Sequence, residues 1–342
     1  MKHIRLSICI PTYNFGEFIG ETLDSIIKQA NDEIEILVVD GASTDNTSEI
    51  VKSYQRYSPQ IVYYCLDKKG GIDQDLSKTL ELAKGDYCWL MSSDDALKPG
   101  AIQRVLDEIK LGHDIYLCNR TDCDRNLRPI RNRIWLPNKF KNHVFNLSKK
   151  TELIEYLKAC QLLGALFSYI SSIIVCRKSW NEVEYNGTFN GSNYAHVFRL
   201  LSITKNGGLL KYISDSLVLS RGDNDSFRDK GLLRRFLIDF NAYSLLADNL
   251  FSGDAIVQKE FKSVMQREHV WYMLAGLKNK VDDKKKWEEL EDKLLHFGYS
   301  RKKLAIIRTL GSSHFAMVFL RHLRRILEKA TLCLQDKVNR GV

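Results

Sequence analysis

The first 120 residues alternate strand-length apolar runs with amphipathic helical stretches, and this alternation restricts the fold more than any other feature of the chain. Residues 6–10 read as a strand. A helix over 17–30 follows, with Phe18, Ile19, Leu23, Ile26 and Ile27 at helical spacing. The pattern then repeats. An apolar run at 35–39 precedes a helix to about residue 57, with Ser43, Thr44 and Asp45 offering capping chemistry; strands at 61–65, 87–91 and 115–119 are separated by a helix at 73–84, closed by Gly85, and by one opened by Pro99. Such repetition predicts an α/β fold: a mostly parallel sheet with right-handed crossovers, flanked by helices.

Residues 121–165 read as irregular and basic, with Arg125, Arg128, Arg131, Arg133 and Trp135 ahead of a helix near 149–163. A strand over 167–176, a helix over 192–204 and a strand over 209–219 follow, and beyond Gly231 every segment reads as helix. All five prolines lie at or before Pro137, which leaves the rest permissive for long helices. A length of 342 residues accommodates an α/β domain over 1–228 and a helical C-terminal region over 229–342. With 44% apolar and 27% charged residues, the composition argues against a disordered, collagen-like or polytopic membrane protein.

Met1, Lys2 and His3 lead straight into the first strand pattern, so no secretory leader is expected. The eight cysteines form no Cys-x-x-Cys pair, and several sit in apolar runs. They are expected to be reduced, mostly buried thiols of a cytoplasmic protein. Of the net charge of +9, about +8 falls after residue 300, where ten Lys/Arg face only Glu328 and Asp336. That imbalance suggests an anionic partner.

In sheets of this kind ligands bind outside the carboxyl ends of the strands. The residues there are Pro11, Thr12, Tyr13 and Asn14; then Asp40 through Asp45; then Asp67 through Gly71; then Ser92, Ser93, Asp94 and Asp95. Small, polar and acidic residues at four successive strand ends predict a site. Asp94 and Asp95 repel unless a cation lies beside them, and Mg²⁺ or Mn²⁺ held by one or two carboxylates completes its shell with phosphates. The alternative is a helix cap. Asp40 suits a nucleobase N–H without choosing the base; its alternative is a turn. Gly71 permits close approach of a ligand, and Lys78, two turns into the next helix, reaches either a diphosphate or plain solvent. No Gly-x-Gly-x-x-Gly or Walker pattern occurs, against a dinucleotide dehydrogenase or P-loop enzyme.

Taken in order, Leu6-Ser-Ile-Cys-Ile-Pro-Thr-Tyr-Asn14, Ile36-Leu-Val-Val-Asp40, Ser43-Thr-Asp-Asn-Thr47, Gly85-Asp-Tyr87 and Ser93-Asp-Asp95 followed by Pro-Gly-Ala101 resemble the nucleotide-sugar-binding half of a glycosyltransferase family 2 enzyme with the GT-A fold. The resemblance is close over about 4–110 and loose over 165–227. Within the family, Gly71-Ile-Asp-Gln-Asp75, the run from Asp86 to Asp95, Ser192-Asn-Tyr-Ala-His-Val197 and Ser220-Arg-Gly-Asp-Asn-Asp-Ser226 resemble the abequosyltransferase-like branch, which is implicated in O-antigen assembly.

The resemblance implies that Asp40 binds the base and Asp94 the metal bridging the diphosphate. Asp95 becomes a second metal ligand and a catalytic candidate. Pro11, Thr12, Tyr13, Asn14, Gly71, Lys78, Ser93 and Arg221 are then expected around the donor, and Asp223, Asp225 and Ser226 either line the acceptor site or form a solvated loop. The chain departs from the family pattern in three places. Ser92 stands where a carboxylate is usual, and Asp40-Gly41-Ala42-Ser43 stands where Asp-Asp-Gly-Ser is usual, a milder change. Ser192 and Asn193 stand where inverting members carry the Glu-Asp pair that supplies the base. His196, one turn on, is the candidate base or else a packing residue. A retaining mechanism, with the leaving phosphate as base, would need no carboxylate there.

At the C-terminus, Phe319, Leu320, Leu323, Ile326, Leu327, Ala330 and Leu334 form one helical stripe, with Arg321, Arg324, Arg325 and Lys329 off it. Such a helix lies on an anionic bilayer or packs on the core, and the resemblance favours the membrane. Nothing argues for nucleic acid. The expectation is a metal-dependent glycosyltransferase that moves a sugar from a nucleotide-diphosphate donor to a lipid-linked glycan at the cytoplasmic face of the inner membrane. The alternatives are a nucleotidyltransferase-like enzyme and a non-catalytic sugar-nucleotide-binding subunit.

Overall fold

The computed structural model describes residues 3–224, 232–281, 283–313, 315 and 318. The alternating pattern becomes β1 (Leu6–Thr12), α1 (Gly16–Ile27), β2 (Ile34–Asp40), α2 (Thr47–Gln55), β3 (Ile61–Cys65), α3 (Ile72–Leu82), β4 (Tyr87–Leu90), β5 (Ala96–Leu97), α4 (Ala101–Ile109) and β6 (Ile115–Cys123). The expected elements are present, with shifted ends. β5 is an addition, and α4 starts two residues after Pro99 because Gly100 turns the chain at φ 80°. There follow β7 (Pro129–Arg133), β8 (Val144–Asn146), α5 (Lys150–Ala159), β9 (Ile173–Cys176), α6 (Arg177–Asn181), α7 (Ala195–Lys205) and β10 (Leu209–Ser220). Helices α8 (Leu232–Phe251), α9 (Ala255–Glu268), α10 (Trp271–Lys278), α11 (Lys284–His296) and α12 (Arg301–Gly311) complete the described chain.

The strands form one sheet in the order β3-β2-β1-β4-β9-β6-β10-β5, with β7 paired to β6 and β8 to β10. From β3 to β4 it is parallel. Beyond β4 it is mixed, because β9 runs antiparallel to both its neighbours. The strand expected over 167–176 is real only from Ile173. Phe167 turns at φ 64°, and 170–172 is a single 3-10 turn whose Ser171 serves the acidic turn described below. Part of the supposed irregular stretch is instead a hairpin. Asp122 on β6 accepts from Arg120, Arg131 and Arg133 and so binds β7 to it.

Successive residues of a strand face opposite sides of a sheet. Ile8, Ile10, Ile36 and Val38 pack with Ile19 and Leu23 of α1 and Val105 of α4. Cys9, Leu37 and Val39 face the other side, with Leu76 and Leu80 of α3. Burial on both faces explains why these strands are apolar throughout. The second face continues without a break into the C-terminal helices, where Phe240, Phe261, Leu290, Phe297 and Ile307 join the same core. The boundary expected at 228/229 and the stripe over 319–334 lie outside the described residues. Among the described cysteines, five are buried, Cys65 is exposed and none is paired. Among the described residues, no helix is long and apolar enough to cross a membrane.

Candidate active site

Two loops at the carboxyl ends of β1 and β2 are laced together. The Asn14 N–H donates to Ser43 Oγ at 2.8 Å, and the Thr44 N–H donates to Asn14 Oδ1 at 2.8 Å. Asn14 can do this because it takes the left-handed conformation, at φ 57°. Asp45 accepts from the N–H of Gly16, the first residue of α1, and from the N–H of Thr47, the first of α2. One carboxylate thus satisfies donors at two helix N-termini.

Asp40 is fully buried beneath these loops. Its Oδ1 accepts from the Ser43 N–H at 2.8 Å, and its Oδ2 from the Tyr63 hydroxyl at 2.7 Å. The turn role is therefore real, and Tyr63 adds a partner on β3. Thr12 lies beside Asp40 in register, and its buried Oγ1 has no partner. Pro11 is buried in the same strand. An orphaned buried hydroxyl costs stability, which a ligand's polar edge would recover. Tyr13 carries the ammonium of Lys69 over its ring at 3.6 Å, a basic rim residue to which the sequence assigned no role. Gly71 begins α3 at φ 84°, a conformation that glycine adopts freely. The diphosphate role expected for Lys78 does not fit: its ammonium is in an exposed ion pair with Glu81, one turn along α3.

After β4 the chain forms a tight acidic turn. Asp95 is 2% exposed. Its Oδ2 accepts from Tyr169 and Ser171, both at 2.6 Å, and its Oδ1 from the Arg221 N–H at 3.1 Å. Burial, then the charge of Asp94, pushes its carboxyl up to about 7. Asp95 is buried more deeply than the neighbouring Asp94, and from that position it organises the turn, which tells against its expected roles as catalytic residue and metal ligand. Ser93 is buried, and its carbonyl accepts from Thr22 of α1 at 3.0 Å, so it supports the turn from behind. Asp94 is part-buried; its Oδ1 accepts from the Ser92 hydroxyl and its Oδ2 from the Asn224 amide. Burial raises its pKa too. The carboxylate and the Ser92 hydroxyl are hard oxygen groups that suit Mg²⁺ or Mn²⁺, while the Asn224 amide presents its NH₂ to the carboxylate. A cation there would also relieve the repulsion between the two acids.

Arg221 does not present its guanidinium to a ligand, a further correction. Its side chain is 2% exposed. Nε donates to the Asp94 carbonyl at 2.8 Å, and the terminal nitrogens donate to the Arg125 carbonyl and to Glu21. The guanidinium also covers the Phe18 ring at 4.8 Å. It is a strap between β10, α1 and the acidic turn.

His196 is corrected as well. It is 4% exposed, and its ring Nε2 lies 3.0 Å from the Phe167 carbonyl. Burial lowers its pKa to about 4, so at neutral pH it is a neutral imidazole donating to that carbonyl, not an open-rim base. α7 begins at Ala195 and not at Ser192, because Asp73 of α3 accepts from the N–H groups of Asn193, at 2.8 Å, and Ala195, at 3.0 Å. Tyr194 beside it donates to Asp239 of α8 at 2.5 Å, so the C-terminal helices also position this corner. Asp223 is exposed at φ 60°, whereas Asp225 and Ser226 lie outside the described residues.

A parallel half-sheet with an acid turn at its carboxyl rim defines a class, and the family model agrees: residues 7–182 match glycosyl transferase family 2, and the chain belongs to that family. It is a glycosyltransferase of the abequosyltransferase-like branch. Over 272 residues it is 40% identical to the abequosyltransferase RfbV of Salmonella typhimurium, covering 78% of this chain and 81% of that protein. Its fold is also that of S. aureus TarS 1-349, at a TM-score of 0.60 and 17% identity over 92% of this chain and 87% of the other. The mannosyltransferase PcManGT from Pyrobaculum calidifontis, solved with GDP-Man and Mn²⁺, gives 0.55 and 16% over 98% and 89%. Family membership sets aside the nucleotidyltransferase-like and non-catalytic readings.

Proposed function

We propose that the protein transfers a sugar, a deoxyhexose such as abequose, from a nucleotide-diphosphate donor to a lipid-linked glycan in surface polysaccharide or O-antigen synthesis. The observation that carries the reading is Asp94. It is a part-buried carboxylate at the end of β4, bracketed by the Ser92 hydroxyl and the Asn224 amide, in a chain 40% identical to an abequosyltransferase. The base lies against Thr12, Tyr13 and Asp40, and the diphosphate reaches Asp94. Asp94 would hold Mg²⁺ or Mn²⁺, which would supply positive charge against the departing diphosphate. In the reaction the bond from the sugar's anomeric carbon to the diphosphate oxygen breaks, and one to the acceptor hydroxyl oxygen forms. With His196 turned inward, the proton of that hydroxyl passes to an oxygen of the leaving phosphate in the retaining version of this reading.

The protein works peripherally at the cytoplasmic face of the inner membrane in this reading. Supporting it are the basic balance after residue 300 and the outward faces of Ile306 (52% exposed) and Phe315 (90% exposed). The test incubates the protein with CDP-, UDP- and GDP-sugars, Mn²⁺ and a lipid-linked acceptor and follows nucleoside diphosphate release. Asp94→Asn is expected to fold and to lose transfer. Normal turnover by that variant sinks the reading.

A further inference from the structure

The segment after β10 does more than leave the sheet. Arg221 is anchored by its backbone N–H to Asp95, by Nε to the Asp94 carbonyl, and by its terminal nitrogens to Arg125 and Glu21. Gly222 then passes so close to β6 that a Cβ would lie 2.5 Å from the Cys123 carbonyl oxygen. Asp223 reverses the chain at φ 60°. The result is delivery of Asn224 onto Asp94 Oδ2, opposite the Ser92 hydroxyl on Oδ1. Three successive residues are thus committed, by anchoring, close approach and a left-handed turn, to placing one amide beside one carboxylate.

We propose that Asn224 is a ligand of the divalent cation held at Asp94, an inference that rests on the cation reading of that carboxylate. As the structure stands, the amide offers its NH₂ to Asp94. A half-turn about the last side-chain bond exchanges that NH₂ for the amide oxygen, a hard neutral ligand of the kind Mg²⁺ and Mn²⁺ accept. Neutrality matters here. Asp94 and Asp95 already crowd two carboxylates into the turn, and a third acid would add repulsion whenever the cation was absent. An asparagine supplies the oxygen without the charge. Before the cation arrives, the same side chain keeps Asp94 hydrogen-bonded.

The test is an electron paramagnetic resonance titration of the full chain with Mn²⁺ alone, comparing wild type, Asn224→Leu, Asn224→Asp and Asp94→Asn. Leucine keeps the volume but has no oxygen, and Asn224→Leu should bind Mn²⁺ about ten-fold or more weakly, the scale on which groups supporting a metal act. Asn224→Asp should bind at least as tightly as wild type. Unchanged or tighter binding by Asn224→Leu overturns the proposal, because the amide would then only compete with the cation. If Asn224→Leu melts early, weaker binding by Asn224→Asp overturns it instead. If Asp94→Asn binds as wild type does, the cation reading itself fails and takes this inference with it. If Asp94→Asn loses binding while Asn224→Leu does not, this inference fails alone.

Discussion

The Arg221 N–H donates to Asp95 Oδ1 at 3.1 Å, so a carboxylate at the end of β4 fixes the end of β10, 126 residues further along the chain. Asp94 is thereby held from both directions: by its own strand, and by the guanidinium bound to its carbonyl. The residue proposed to meet the cation is positioned by neighbours that do not meet it.

Removing that strap should cost stability first. Arg221→Ala deletes part-buried bonds to two carbonyls and to the largely exposed carboxylate of Glu21, each bond from a charged group contributing at most about 1.5–3 kcal/mol. We expect a loss of about 3 kcal/mol in urea unfolding. Arg221→Lys should recover only part of it, since an ammonium cannot reproduce the fork. Unchanged stability in Arg221→Ala would show that the strap is dispensable.

Thr12→Val separates stability from binding. The buried Oγ1 has no partner, so its removal should leave the free protein as stable as wild type or stabilise it by about 1 kcal/mol. Nucleoside diphosphate affinity, measured by calorimetry, should fall. Equal affinity in both proteins would place the base elsewhere.

For His196 the prediction concerns pH. Its pKa in the folded protein is depressed to about 4, below its ordinary value, so the unfolded chain binds the proton more readily. Stability should therefore decline as pH falls from about 6.5 toward 4, by up to roughly 3 kcal/mol from this group. His196→Gln should remove that slope from acid unfolding while leaving the pH profile of transfer unchanged. A transfer profile that loses a limb in His196→Gln would restore the catalytic role.

The tail can be separated from the core only if it is cut in the right place. Leu304 and Ile307 of α12 are buried, and Gly311 lies against Lys278 of α10. Ending the chain after Ser300 should thus unfold part of the core, each lost apolar side chain costing about 1.5–3 kcal/mol. Ending it after Ser313 should keep the melting curve and reduce flotation with anionic liposomes, more so at low salt. Intact protein that ignores such liposomes at low salt would end the membrane reading.

Local pattern was enough to place β1 to β4, their helices and the acidic and glycine-bearing strand ends, because alternation, capping residues and turn residues act over a few neighbours. It was also enough to put Asp40 and the Asp-Asp turn at strand ends. What it could not do was assign partners across the chain. Lys78 and Lys69 are both lysines near the third strand end, yet one is paired with Glu81 and the other lies on Tyr13. Asp94 and Asp95 are neighbours of identical chemistry. One faces Ser92 and Asn224, and the other is enclosed by Tyr169, Ser171 and Arg221. His196 lies on the expected helix, but its ring turns inward to the Phe167 carbonyl. Which polar group is consumed by the protein and which is left for a ligand depends on contacts between segments tens to hundreds of residues apart, and those exist only once the sheet has brought the strand ends together.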